Sequence, residues 1–88
     1  IIGNTIKSWV MYPVPVRDVL NLEYQGSVAI SGVISIFIQN IHGYILLRNR
    51  FSSLKRTIQL PVNNLGRGIY DIRIVINNEI VWNQRFVK

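Results

Sequence analysis

The sequence predicts an all-β sandwich built on one core, and three observations carry that prediction. Apolar residues alternate with polar ones at period two along most of the chain. Turn signals recur about every 8 to 14 residues, the rhythm of a sandwich or barrel. A chain of 88 residues has room for one hydrophobic core and no second one. No window shows the three-to-four spacing with caps that a helix needs.

The first strand is expected over residues 5 to 12 and closes on Tyr12-Pro13-Val14-Pro15, where the prolines fix φ and remove donors. Leu20, Leu22 and Tyr24 alternate with Asn21 and Glu23, which sets a strand over 18 to 24 before Gln25-Gly26-Ser27. Ile34, Ile36 and Ile38 alternate with Ser35, Phe37 and Gln39 in a strand over 28 to 40 that is interrupted at Ser31-Gly32 and ends near His42-Gly43. Strands over 44 to 50 and 55 to 60 flank the turn signal Phe51-Ser52-Ser53, and Asn63-Asn64-Leu65-Gly66 follows the second of them. Tyr70, Ile72, Ile74 and Ile76 alternate with Asp71, Arg73 and Val75 over 68 to 76, the clearest in-out pattern of the chain. The last strand is expected over 80 to 87, after Asn77-Asn78.

A tight Asn77-Asn78 loop with strict pairing would set Ile74 opposite Val81 and Arg73 opposite Trp82, which scatters the apolar faces. Shifting the pairing by one residue, with a bulged turn and an asparagine in the left-handed region, puts Ile72 and Ile74 on the face of Ile80 and Trp82. Tyr12, Tyr24, Tyr70, Trp82 and Phe86 mostly match the apolar faces of their strands and are expected in the core.

Composition narrows the functional classes. Apolar residues make up 49% and charged ones 16%, too hydrophobic a balance for a disordered tail. Apolar runs reach only a few residues, so no helical membrane span is expected. Residues 1 to 5 have no pattern of their own and read as the end of a linker from a preceding domain, with residues 6 to 88 as one domain. They lack the parts of a signal peptide, so any such signal is expected upstream on a longer chain. Cysteine is absent, which rules out disulfides and thiolate metal sites.

The net charge of +6 favours acidic partners. Its densest stretch is Arg48, Arg50, Lys55 and Arg56, read as a solvated hairpin end.

Acid-base catalysis needs convergent titratable groups, and the chain offers Asp18, Glu23, Asp71, Glu79 and His42. Glu23 and Asp71 fall on outward strand faces, Asp18 begins a strand, and Glu79 and His42 lie in turns. No nucleophile elbow, triad or metal-ligand spacing is present. Gly66-Arg67-Gly68 is too short for a phosphate loop, and its glycines read as a tight turn needing positive φ. No enzymatic activity, cofactor or metal is expected. Carbohydrate binding through an exposed Trp9 or Trp82 is the alternative function, and nucleic-acid binding, the third class, is disfavoured because the aromatics match core faces.

The turns taken together resemble the C-terminal sorting domain of the type IX secretion system, over about residues 10 to 88. Tyr12-Pro13-Val14-Pro15 with Val19-Leu20-Asn21-Leu22 resembles the family's Tyr-Pro-Asn-Pro opening and first alternating strand. Asn40-Ile41-His42-Gly43 resembles its Asn-x-x-Gly turn, Leu65-Gly66-Arg67-Gly68-Ile69-Tyr70 its Leu-x-x-Gly-x-Tyr segment, and Arg85-Phe86-Val87-Lys88 its Lys-Phe-Val-Lys ending. Val14 stands where the family has Asn, and Gly66 where a Pro or small polar residue is common, so local turn geometry departs from the pattern.

The resemblance implies an immunoglobulin-like antiparallel β-sandwich of about seven strands. It also implies a non-catalytic secretion signal on a larger cargo, exported from a Gram-negative bacterium through the periplasm to the surface or medium. The implied partners are an outer-membrane translocon, a shuttle protein and a surface sortase that removes the domain. Tyr12, Pro13, Pro15, Asn40, Gly43, Leu65, Gly68, Tyr70, Arg85, Phe86, Val87 and Lys88 are the implied recognition residues. Pro13 and Pro15 are expected to lead rigidly into an edge strand, and the last strand to remain accessible as a handle.

Overall fold

A computed structural model describes residues 9–26, 32–52 and 57–88. The expected linker over residues 1–5 lies outside them, as do the start of the first strand, Ser31 of the expected break, Ser53, Lys55 and Arg56. Seven strands form among the described residues: β1 (Trp9–Tyr12), β2 (Val19–Tyr24), β3 (Ile34–Asn40), β4 (Ile45–Phe51), β5 (Thr57–Pro61), β6 (Ile69–Ile76) and β7 (Glu79–Val87). They build an antiparallel three-stranded sheet, β1-β2-β5, and an antiparallel four-stranded sheet, β4-β3-β6-β7. The chain changes sheet after β2, β4 and β5, so neither sheet is a simple meander. This is the sandwich that the alternating pattern called for, in the immunoglobulin-like form that the family resemblance implied.

The alternation translates directly into burial. Leu20, Leu22, Tyr24, Ile58 and Leu60 of the first sheet face Ile34, Ile36, Ile38, Ile72 and Ile74 of the second, and all are buried. Tyr24, Tyr70, Trp82 and Phe86 complete the core, as expected, and Trp9, considered as an exposed platform, joins them. Tyr12 does not join them: it is 40% exposed, because it ends β1 at the edge of the smaller sheet. Phe51, placed in a turn signal, instead ends β4 and packs partly against the core.

The β6–β7 hairpin corrects one expectation. Asn77 and Asn78 both have positive φ, 51° and 68°, the pair of values a type I′ two-residue turn requires. The turn is therefore tight, and the irregularity sits within the strands, where pairing passes from Val75↔Ile80 to Ile74↔Trp82. The extra residue, Val81, lets Trp82 rejoin the core face of Ile72 and Ile74 while Ile80 stays outside, 57% exposed beside Val75. Glu79 correspondingly begins β7 instead of occupying the turn.

Strand polarity gives the sandwich two distinct ends. The C-terminal ends of β1, β3, β5 and β7 and the N-terminal ends of β2, β4 and β6 meet at one pole, as the pairs Tyr12↔Asn21, Val19↔Pro61, Asn40↔Tyr70 and Tyr70↔Phe86 require. The β1–β2, β3–β4 and β5–β6 connections all cross that pole.

Candidate functional site

All twelve candidate recognition residues lie at this pole, although they come from four separate stretches of sequence. Only folding brings them together. They divide into two turns, a crossover and a bolted strand end.

The β3–β4 turn shows why Asn and Gly stand three residues apart. The Asn40 side-chain oxygen accepts hydrogen bonds from the backbone N–H groups of His42 at 2.9 Å and Tyr44 at 3.1 Å. Its backbone carbonyl accepts from Gly43 N–H at 3.0 Å, and its N–H donates to Tyr44 O at 3.0 Å. Gly43 adopts φ 88°, where a Cβ would be strained. The turn holds Ile41 and Tyr44 outward, 59% and 70% exposed. His42 is an exposed turn residue that contributes its backbone, as expected.

The β5–β6 crossover is tied by Tyr70, whose hydroxyl donates to Gly66 O at 2.7 Å, four residues upstream. Its buried ring stacks on Phe86 with centroids 5.6 Å apart. A tyrosine at the start of this strand reaching back to the backbone is the tyrosine corner of immunoglobulin-like sandwiches. Leu65 packs partly against the core. Neither Gly66 nor Gly68 has the positive φ expected of them; among the described glycines that holds for Gly32 and Gly43. A Cβ at Gly68 would meet the Tyr70 ring at 3.7 Å, an ordinary contact.

The end of β7 is an edge with Arg85 and Val87 exposed, and it is also tied in place. Gly68 and Lys88 exchange both backbone hydrogen bonds, at 3.0 and 2.9 Å, and the Lys88 ammonium donates to Leu65 O. Val16 N–H donates to Val87 O at 2.9 Å, closing the other edge of the strand from the opposite sheet. Arg85 pairs with Asp71 through Nε–Oδ1 at 3.0 Å and Nη2–Oδ2 at 3.3 Å. That hydrogen bond, with the carboxylate charge behind it, raises the Arg85 pKa above its ordinary value.

Tyr12, Pro13, Val14 and Pro15 form an exposed corner with cis bonds at Tyr12-Pro13 and Val14-Pro15. The prolines leave the edge strand β1 instead of leading into one, and the strand that follows, β2, is central. Asn21 Nδ2 donates to Tyr12 O at 3.2 Å and fixes the corner from β2. Val16 beyond it is buried, an anchor that the alternation analysis missed because it belongs to no strand.

The pole also exposes apolar side chains, beside the polar Arg17, Asp18, His42, Asn63, Asn64 and Arg67. Tyr12, Val14, Val19, Ile41, Tyr44, Ile45, Leu46, Ile69 and Val87 are nine of the twelve exposed large apolar residues described. Isolated exposed apolar residues are ordinary, and the nine described at this end make it a candidate interaction surface. Sequence reasoning named Tyr12 and Val87 among these as recognition residues and missed the other seven. The signal was present in Ile41 and Tyr44, apolar residues lodged inside a turn.

Nothing at the pole is arranged for catalysis. Among the described residues no three His, Cys, Asp or Glu side chains approach as metal ligands, and no polar side chain is buried without a partner. Trp9 and Trp82 are 6% and 7% exposed, so neither offers the platform that sugar binding would use.

A family model described as a secretion system C-terminal sorting domain matches residues 10–88. No curated protein matches the chain.

Proposed function

The chain belongs to the C-terminal sorting domains of the type IX secretion system, and from that we propose that its apolar pole is the surface the export machinery grips. The domain is a sorting signal, and its function implies contact with that machinery and export to the cell surface or medium. The finer reading is that translocon and shuttle protein contact the pole, and that a sortase then removes residues 6–88 from a larger cargo joined through residues 1–5. The host is a Gram-negative bacterium and the route crosses the periplasm.

One observation carries the reading: among the described residues, nine of the twelve exposed large apolar ones share an end with all the motif residues. In this division of labour Asn40, Gly43, Leu65, Gly68, Tyr70, Phe86, Val87 and Lys88 hold the pole in shape. Ile41, Tyr44, Val14 and the Tyr12–Pro15 corner present it to partners.

The test fuses the chain to the C-terminus of a reporter in a bacterium with a type IX system. Export of the reporter, shortened by about the domain's length, is expected. The double change Ile41→Ser and Tyr44→Ser should cut export roughly tenfold, since buried apolar anchors dominate recognition, while leaving thermal unfolding nearly unchanged because both side chains are exposed. Full export of that variant would remove the pole from the account.

A further inference from the structure

Away from the pole, the outer face of the four-stranded sheet carries an unusual row of side chains. Phe37 of β3 points away from the core, and its cross-strand neighbours are Arg48 of β4 on one side and Arg73 of β6 on the other. Both guanidinium carbons lie over the Phe37 ring, 5.6 and 5.4 Å from its centroid. Arg50 stands two residues beyond Arg48 on the same face. All four carboxylates of the sequence lie among the described residues, yet the one ion pair described is Asp71–Arg85. Arg48, Arg50 and Arg73 therefore have no carboxylate partner there.

Stacking on an aromatic ring is favourable for a guanidinium and limits its rotamers, so its N–H edges are aimed before a ligand arrives. Such edges match carboxylates in bidentate fashion. Arg48 and Arg50 are separated by two strand residues, roughly 6.6 Å, which is also the spacing of alternate side chains on an extended peptide. We propose that this face binds an extended acidic segment of a partner protein, with Arg48 and Arg50 receiving carboxylates spaced two residues apart and Arg73, across β3 on the other side of Phe37, receiving another. The face suits a peptide better than single-stranded nucleic acid, because bases need an open aromatic surface and both neighbouring strands already place a guanidinium over Phe37.

The proposal does not depend on the export reading, and its test is direct binding to the chain. The probe is a fluorescent extended peptide of alternating Glu and Thr, with a Gln-Thr peptide as control. The acidic peptide should bind at least about tenfold more tightly than its amide counterpart, and more weakly as salt rises. The combined Arg48→Gln and Arg73→Gln change should lower its affinity about tenfold or more, whereas Arg17→Gln, at an exposed arginine elsewhere, should leave it nearly unchanged. On the unaltered chain, peptide should shift the NMR signals of the Arg48, Arg50 and Arg73 side chains before those of Arg17 and Arg67. Equal losses from both substitutions, or shifts spread over all arginines, would reduce the effect to net charge and overturn the proposal. So would an oligothymidylate or phosphatidylglycerol vesicles losing affinity at Arg48 and Arg73 while the acidic peptide does not.

Discussion

Asn40 and Tyr70 show how single side chains take over backbone work that strands leave undone. Where β3 stops, the turn has N–H groups with no ladder partner, and the Asn40 amide oxygen accepts two of them. Asn40→Ala should cost about 1–2 kcal/mol, read by denaturant unfolding, because it orphans those donors. Gly43→Ala, at φ 88°, should cost a similar ~1 kcal/mol although a methyl group would meet nothing within 4 Å. At Tyr70 the ring and the hydroxyl do separable jobs. Tyr70→Phe keeps the stack on Phe86 and loses the bond to Gly66 O, for an expected loss of about 1 kcal/mol. Gly68→Ala should change stability little, since neither φ nor space demands glycine there. An equal loss at Gly43 and Gly68 would contradict the backbone argument.

The β6–β7 hairpin is the element on which two demands on one strand compete. Its turn needs positive φ at two adjacent residues, and the pair Asn77-Asn78 supplies them. Continuing that register without interruption would turn Trp82 away from the core, so one residue is inserted and Val81 is left over. Asn78→Val, which puts a β-branched residue at φ 68°, should destabilise the domain by about 1–2 kcal/mol. Gly32, at φ 101°, belongs to the same corner: a Cβ there would meet the Asn77 side chain at 2.3 Å. Substituting alanine at Gly32 should therefore be more costly than at Gly43, and thermal unfolding of the two variants side by side checks the order.

At the scale of the molecule, the pole joins the two sheets. The Val16–Val87 hydrogen bond links the β1–β2 connection to the last strand, while Gly68 and Lys88 extend the β6–β7 ladder by one pair. Deleting residues 84–88 removes Phe86 from the core along with these bonds. Loss of a buried Phe alone is expected to cost about 3–5 kcal/mol, much of the stability of a small domain. The deletion should thus abolish cooperative unfolding as well as export, which is why the exposed Ile41 and Tyr44 test recognition more cleanly.

The amino-acid pattern alone was enough for the fold class, the number of strands and nearly every core residue, because period two assigns each side chain of a strand to one face. It also located the Asn40, Tyr70 and Phe86 turns and endings, whose chemistry is local. It misjudged Tyr12, Trp9, Ile80 and the glycines of the β5–β6 crossover. Each of those depends on what lies across from it: an uncovered sheet edge, a bulge, or a partner strand. Alternation fixes faces within a strand, but pairing between distant strands decides edges and ends. The gathering of twelve scattered residues, and of most exposed apolar ones among the described residues, at a single pole follows from strand order and direction, which long-range packing of the two sheets alone determines.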